Sequence, residues 1–238
     1  MSQHGQLYLI PTRLGDQPPL EVLPLSIRKK ITDINHYIVE NEKIARRFIK
    51  KIVPSKSQDK LNINHLNKFT QDIEIPEFLK PCEEGQDIGL MTDAGCPGIA
   101  DPGSKVVSLA HRQGIKVVPL VGPSSIILAL MASGLNGQNF AFNGYLPIDK
   151  AECKKRIKQL EKHAETHNQT QIFIETPYRN GQLFDTFLKT LKPQTQLCVA
   201  VDLTLTTQFI LTKSVKAWQN ENPDWHKRPA IFIFHPEF

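Results

Sequence analysis

Short runs of aliphatic, β-branched and aromatic residues recur along the chain, each ending in Gly, Pro, Asp or Thr and many giving way to a segment with a helical repeat of apolar positions. In the first half the runs at residues 7–11, 36–40, 87–92 and 116–120 are almost continuously apolar at their centres. Strands covered on both faces look like this, so a parallel sheet with alternating helices is predicted. In the second half the runs at 140–145, 171–175, 197–203, 208–211 and 230–234 predict a further sheet. The third and fourth are close enough to form a hairpin, which makes that sheet mixed.

Helix boundaries are written in the turn residues. Asp101-Pro102-Gly103 predicts a helix start, with Asp as cap and Pro at the first helical position, and Gly114 falls just past the end. Ser124 or Ser125 opens another helix that Gly134 closes. Residues 150–167 form the longest helical pattern, with Ile157, Leu160 and Ala164 on one stripe amid Lys154, Lys155, Lys158 and Glu161, as in a surface helix. Gly122-Pro123 punctuates the chain between the two groups of strands. The expectation is therefore α/β, with two α/β domains: residues 1–121 around the parallel sheet and 122–238 around the mixed one.

Composition narrows the class without naming it. The 238 residues are 40% hydrophobic and 22% charged, which fits a packed globular protein rather than a disordered or membrane-embedded one. A chain this long buries about 70–75% of its unfolded surface, so it needs no disulfides for stability. Its 29 Lys and Arg against 24 Asp and Glu leave a charge of +5, a mild bias compatible with an anionic partner. Cys82, Cys96, Cys153 and Cys198 are far apart and form no zinc-type spacing, which suits reduced thiols in the cytoplasm. Residues 1–12 have no basic, apolar leader pattern, and the longest apolar run, residues 126–132, is about a third of the roughly 20 residues of a membrane span. No membrane association is expected.

The densest chemical signal is DAGCPGIADPG at residues 93–103, between an apolar strand and a helix. Glycines let a ligand approach the backbone, prolines fix the loop, and a carboxylate at a strand end can accept from hydroxyl or amine groups. The same residues also suit a rigid strand-to-helix turn with Asp101 as an ordinary cap.

Taken with LYLIPTRLG (7–15), VPLVGPSSIILALMASGL (118–135), FAFNGYLP (140–147) and ETPYR (175–179), this stretch resembles the tetrapyrrole methylase superfamily along most of the chain. Within it, the chain is most similar to the ribosomal RNA small subunit methyltransferase I family, whose members methylate a cytidine ribose 2′-hydroxyl with S-adenosylmethionine. The resemblance implies a cofactor cleft between two α/β domains, no metal, and a homodimer acting on ribosomal RNA or the small ribosomal subunit. It further implies that Leu14, Gly15 and Asp16, the turn Asp93-Ala94-Gly95, Asp101-Pro102-Gly103 and Ser124-Ser125 line the cofactor site. Tyr145, Leu146, Pro229 and Ala230 would close over its adenine. The dinucleotide fingerprint and the Walker A loop are both absent from the sequence, so NAD and ATP are not supported.

A neutral hydroxyl acceptor must lose a proton, so a base belongs near the methyl group, and Asp93, Glu175 and Glu40 are the candidates. Arg13, Tyr178 and Arg179 fall in blocks that reach the cleft in the family and are the substrate-binding candidates. Glu175 and Arg179 would equally make a structural ion pair at a strand end. Basic clusters at Arg28-Lys29-Lys30, Arg46-Arg47, Lys50-Lys51 and Lys154-Lys155-Arg156 suit phosphate contacts or solvated helix faces. His163, Glu165 and His167 have a metal-like spacing but sit at the polar end of a surface helix. Three segments depart from the family, the first being the loop after Gly15, shortened to Asp16-Gln17-Pro18-Pro19. Glu40-Asn41-Glu42-Lys43 stands where longer members have an acidic-Asp-Thr-Arg stretch, and Leu203-Thr204-Leu205-Thr206-Thr207 replaces a Leu-Thr-Lys segment. These departures leave room for two competing expectations: a different acceptor, small molecule or protein, or a cofactor-binding protein without turnover.

Overall fold

The structure is a computed structural model that describes residues 4–221 and 223–236. Its contacts divide the chain into two units, one ending at Ser124 and one beginning at Ser125. In the first, β1 (Gln6–Leu9), β2 (His36–Val39), β3 (Asn62–His65), β4 (Ile88–Met91) and β5 (Lys116–Pro119) form one sheet in the order β3-β2-β4-β1-β5. Every pairing in it is parallel. Among the described residues a short 3-10 helix (Pro19–Glu21) and four α-helices complete the unit: α1 (Leu25–Asp33), α2 (Glu42–Ile52), α3 (Ile75–Glu83) and α4 (Ser104–Arg112).

The apolar stripes of these helices explain the layering. Ile27 and Ile31 of α1 join Phe48, Ile49 and Ile52 of α2 in one core with Tyr8 and Tyr37. Phe78 and Leu79 of α3 join Val106 and Ala110 of α4 in another, with Leu7, Ile38 and Leu90. Successive strand residues point to opposite faces, so the two cores cover the two faces of one sheet, as its apolar strands predict. At Gly89 an added Cβ would lie 2.7 Å from Ile10 Cδ1 and 2.9 Å from Tyr37, so the missing side chain is what lets Tyr37 lie flat in the core.

The second unit holds α5 (Ser125–Ser133), β6 (Phe140–Phe142), α6 (Lys150–His167), β7 (Thr170–Glu175), α7 (Asn180–Thr190), β8 (Gln196–Val201), β9 (Phe209–Ser214), the short α8 (Val215–Trp218) and β10 (Ala230–His235). Its sheet runs β6-β7-β10-β8-β9. Only β6 with β7 is parallel; β10 pairs antiparallel with both neighbours, and β8 with β9 is the hairpin predicted from their spacing. Trp218 is 1% exposed, donates its indole N–H to the Leu197 carbonyl at 2.7 Å, and meets Phe184 edge-on. Helix α6 has the predicted bounds because Asp149 accepts the N–H groups of Ala151 and Glu152, and Asn168 ends it in the left-handed region at φ 50°.

Two sequence expectations need correction. Helix α4 starts at Ser104 with Gly103 as its N-cap at φ 145° and no side-chain cap. Asp101 and Pro102 therefore lie in the preceding loop, and Asp101 is not a cap. Strand β3, Asn-Ile-Asn-His, was not predicted, because an edge strand needs only backbone pairing and carries no apolar run.

Candidate functional site

In an open parallel sheet, ligands bind beyond the strand C-termini where neighbouring connections leave in opposite directions. Here the connection after β2 runs outward to β3 through α2, while that after β4 crosses to β5 through α4. The crevice so formed flanks the end of β4. Glu40 follows β2 directly, and Asp93 lies two residues beyond β4. Asp101 is carried back toward them by the loop that precedes α4.

These three half-buried carboxylates are electrostatically coupled. Burial holds the Glu40 carboxyl above the ordinary range, and the negative charges of Asp93 and Asp101 add to the effect. Burial also raises Asp93, opposed by the backbone N–H of Asn41, and raises Asp101, with Asp93 as the second cause. Among the described residues no cation acts on any of the three. A carboxyl raised on folding binds its proton more tightly in the folded chain, so the cluster costs stability as pH rises through the raised values and is relieved below the ordinary carboxylate range. A site that holds negative charge at the expense of stability is suited to cationic, amine or hydroxyl groups, or to accepting a proton.

The loop between Asp93 and α4 is locked into an unusual path. Gly95, Gly98, Ala100 and Gly103 have φ of 82°, 77°, 64° and 145°. The Gly95 carbonyl accepts the Thr12 N–H at 2.9 Å, and the Cys96 thiol reaches the Pro123 carbonyl at 3.4 Å. A Cβ on Gly95 would meet Leu14 Cδ2 at 3.3 Å and the Pro123 carbonyl at 3.7 Å, so the hydrogen of this glycine faces protein. Gly95→Val is therefore expected to destabilise the first unit by about 1–3 kcal/mol through backbone strain and crowding. A urea titration reads this, and an unchanged midpoint would show that the loop relaxes freely.

The remaining first-unit candidates occupy the neighbouring segments. Arg13, with its side chain 11% exposed, donates to the Gln17 carbonyl and to Asp16 Oδ1, each at 2.6 Å. Asp16 is 86% exposed and also pairs with Lys51 at 3.0 Å, and the two cations hold its carboxyl below the usual range. Arg13 thus closes its own loop. Gly15 is half-buried beside it, Ala94 is exposed, and Pro102 and Ser124 are half-buried.

In the second unit, Ser125 opens α5, Leu146 is buried, and Tyr145 is 58% exposed. Ala230 is buried opposite Glu175 in the β10 and β7 register, while the exposed Pro229 accepts the Asp202 N–H at 3.0 Å. Glu175 lies within the sheet with no exposed side chain and pairs with Arg179 at 3.0 Å. Tyr178 beside it is 73% exposed. The structure therefore brings Glu40, Asp93 and Asp101 together, and pairs Glu175 with Arg179 separately. His163 and His167 stack on each other at 4.1 Å, and no group of metal-binding side chains occurs among the described residues.

One constellation escapes sequence reading. Asp202, Thr204 and Lys227 adopt φ of 49°, 74° and 62°. Asp202 Oδ2 accepts from Arg228 Nε at 2.7 Å and from the Thr207 hydroxyl at 2.8 Å, knotting two loops together. Asp tolerates the left-handed region locally, but nothing in a Thr or Lys announces it.

Comparison with known proteins decides the family. The sequence profile of the Tetrapyrrole (Corrin/Porphyrin) Methylases matches residues 33–217. The chain belongs to this family. Among its relatives, a ribosomal RNA small subunit methyltransferase I of Escherichia coli O157:H7 is 30% identical over 98% of this chain and 78% of its own length. The same-named protein of Vibrio cholerae is 27% identical over 96% and 76%, and that of Bacillus subtilis 30% over 93% and 72%. Among solved structures, cobalt precorrin-4 methyltransferase CbiF superposes with a TM-score of 0.63 at 16% identity, over 99% of this chain and 96% of that one. The methyltransferase CobJ gives 0.63 at 13%, over 98% and 94%. As a tetrapyrrole methylase, the chain is an S-adenosylmethionine-dependent methyltransferase with the two-domain α/β fold predicted from its strand groups. No described helix is long and apolar enough to cross a membrane.

Proposed function

We propose that this methyltransferase acts on ribosomal RNA of the small subunit, placing a methyl group on a cytidine ribose 2′-hydroxyl as a cytoplasmic homodimer. Support for the acceptor comes from the shared name of relatives that align with nearly the whole chain. The observation that carries the chemistry is the half-buried cluster of Glu40, Asp93 and Asp101, on which no cation of the described residues acts.

The donor set fits the family's cofactor. S-adenosylmethionine presents an ammonium, a sulfonium and ribose hydroxyls, and carboxylates at strand ends accept from or attract all of these. Gly15, Asp93, Ala94, Gly95, Asp101, Pro102, Gly103 and Ser124 would hold it in the first unit. Ser125, Tyr145, Leu146, Pro229 and Ala230 are the second unit's candidates. When bound, it supplies an electrophilic methyl group.

The chain's own residues supply orientation and a proton acceptor. The backbone N–H groups of Asp93 and Asn41 draw the Glu40 and Asp93 carboxyls down, partly against the effect of burial. With its proton affinity raised, a carboxylate there is a stronger base than a solvated one, so it can take the 2′-hydroxyl proton as the oxygen becomes nucleophilic. Tyr178 and Arg179 are candidates to contact the RNA sugar or phosphate.

Two measurements test the reading. Calorimetry is expected to give micromolar affinity for S-adenosylmethionine, about −8 kcal/mol. No heat at millimolar cofactor would remove donor binding by this chain. Nucleoside mass spectrometry of ribosomal RNA from cells with and without the gene should show one missing ribose methyl, and identical nucleosides would exclude this acceptor.

A further inference from the structure

We propose that the outer face of α1 and α2 is the surface that grips the RNA phosphate backbone, an inference that rests on the RNA reading above. The two helices carry eight Lys or Arg against two Asp or Glu, a net +6. The whole chain carries +5, so everything else together is negative by one charge. The densest positive charge of the protein thus lies on two helices packed side by side over one face of the sheet, with Ile27 and Ile31 joining Phe48 and Ile49 beneath them.

Several of these cations are free of internal work. Lys30 is held by the Tyr8 hydroxyl, Arg46 by Glu42, and Lys51 by Asp16. Arg28, Lys29, Lys43 and Arg47 are exposed and have no ion-pair partner among the described residues. Lys43, Arg47 and Lys50 follow the spacing that stacks side chains on one helical stripe, opposite the buried Ala45, Phe48, Ile49 and Ile52. Like charges at this spacing repel by a few tenths of a kcal/mol per pair, a cost that an external polyanion removes.

The patch also starts at the candidate site. Asn41 caps α2 with its side chain, accepting the Ile44 N–H at 3.2 Å, and its backbone N–H draws the Asp93 carboxyl down against the effect of burial. A strand lying along α2 is therefore led to the carboxylates that would deprotonate a ribose hydroxyl. The second basic surface, α6, is more mixed, with six Lys or Arg against three Glu, one of which pairs with Lys192.

The test is a salt titration of binding to transcribed small-subunit ribosomal RNA. It compares the wild type, the combined variant Arg28→Ala, Lys29→Ala, Lys43→Ala, Arg47→Ala, and a control with Lys154→Ala, Lys155→Ala, Lys158→Ala, Lys162→Ala. Losing three or four phosphate contacts should flatten the plot of log affinity against log salt by about 2–3 units, and weaken low-salt binding at least ~100-fold. The control should change both only slightly, and the heat of S-adenosylmethionine binding checks that each variant is folded. A steep wild-type slope that the α1 and α2 variant retains, with the loss in the α6 control, overturns this surface alone. Wild-type binding that is absent or indifferent to salt overturns the RNA reading and this surface with it.

Discussion

Asp93→Asn is expected to slow methyl transfer by about a hundredfold or more while making the folded chain more stable at neutral pH. The substitution keeps the shape of the side chain but removes the charge that raises both Glu40 and Asp101. General-base catalysis typically contributes 10²–10⁴ in rate, which sets the scale of the loss. Relief of like-charge repulsion sets the sign of the stability change. The pH profile adds a separate reading. An ionised carboxylate is required, so wild-type kcat/KM should fall as pH drops through a value above the ordinary carboxylate range. In Asp93→Asn the residual activity should fall off at lower pH, because Glu40 and Asp101 have lost a like-charged neighbour. A variant with a wild-type rate and an unmoved acid limb would make Asp93 a structural residue. Glu40→Gln, measured in parallel, shows which of the two carboxylates takes the proton: the larger loss of kcat falls on the variant that has lost the base.

The strands that sequence reading places well are those whose physics is local. Ile88–Met91 is buried at every position, and so is Ala230–His235; such runs have no alternative to a covered strand. Helix α6 is equally legible, because Asp149 caps it and a three-residue apolar stripe runs among charges. Strand β3 is illegible for the opposite reason, since its hydrogen bonds to β2 come from backbone that any sequence supplies. The Asp101-Pro102 pair misleads because its local chemistry would start a helix. The loop instead brings Asp101 to Glu40 and Asp93, and Gly103, at a φ only glycine tolerates well, begins α4. Local rules that fail beside a crevice are a mark of functional sites, where long-range placement overrides capping preference.

The electrostatic organisation shows the same divide. Each carboxylate is visible in the sequence, but Glu40 and Asp101 are 61 residues apart and meet only through the parallel order of β2 and β4. Likewise Arg28-Lys29-Lys30 and Arg46-Arg47 read singly as solvated faces, and only the packing of α1 against α2 joins them into one field.

Arg179→Ala, finally, is expected to cost the second unit about 3 kcal/mol, lowering its melting temperature by roughly 10 °C. The Glu175 side chain is fully buried, its Oε1 accepts the Thr176 N–H at 2.7 Å, and Oε2 has only the Arg179 ion pair at 3.0 Å among the described residues. Removing the guanidinium strands a carboxylate inside the sheet, where breaking such a pair typically costs 3–5 kcal/mol. The lower end applies because Arg179 is 31% exposed and water can follow it out. Glu175→Gln combined with Arg179→Ala should recover most of the stability, since the amide carries no charge to strand. These outcomes separate the two roles open to Arg179. If urea midpoints match the wild type while RNA binding drops tenfold, the guanidinium belongs to the substrate. If stability falls and the double variant restores both stability and RNA binding, its work is to hold Glu175 at the end of β7.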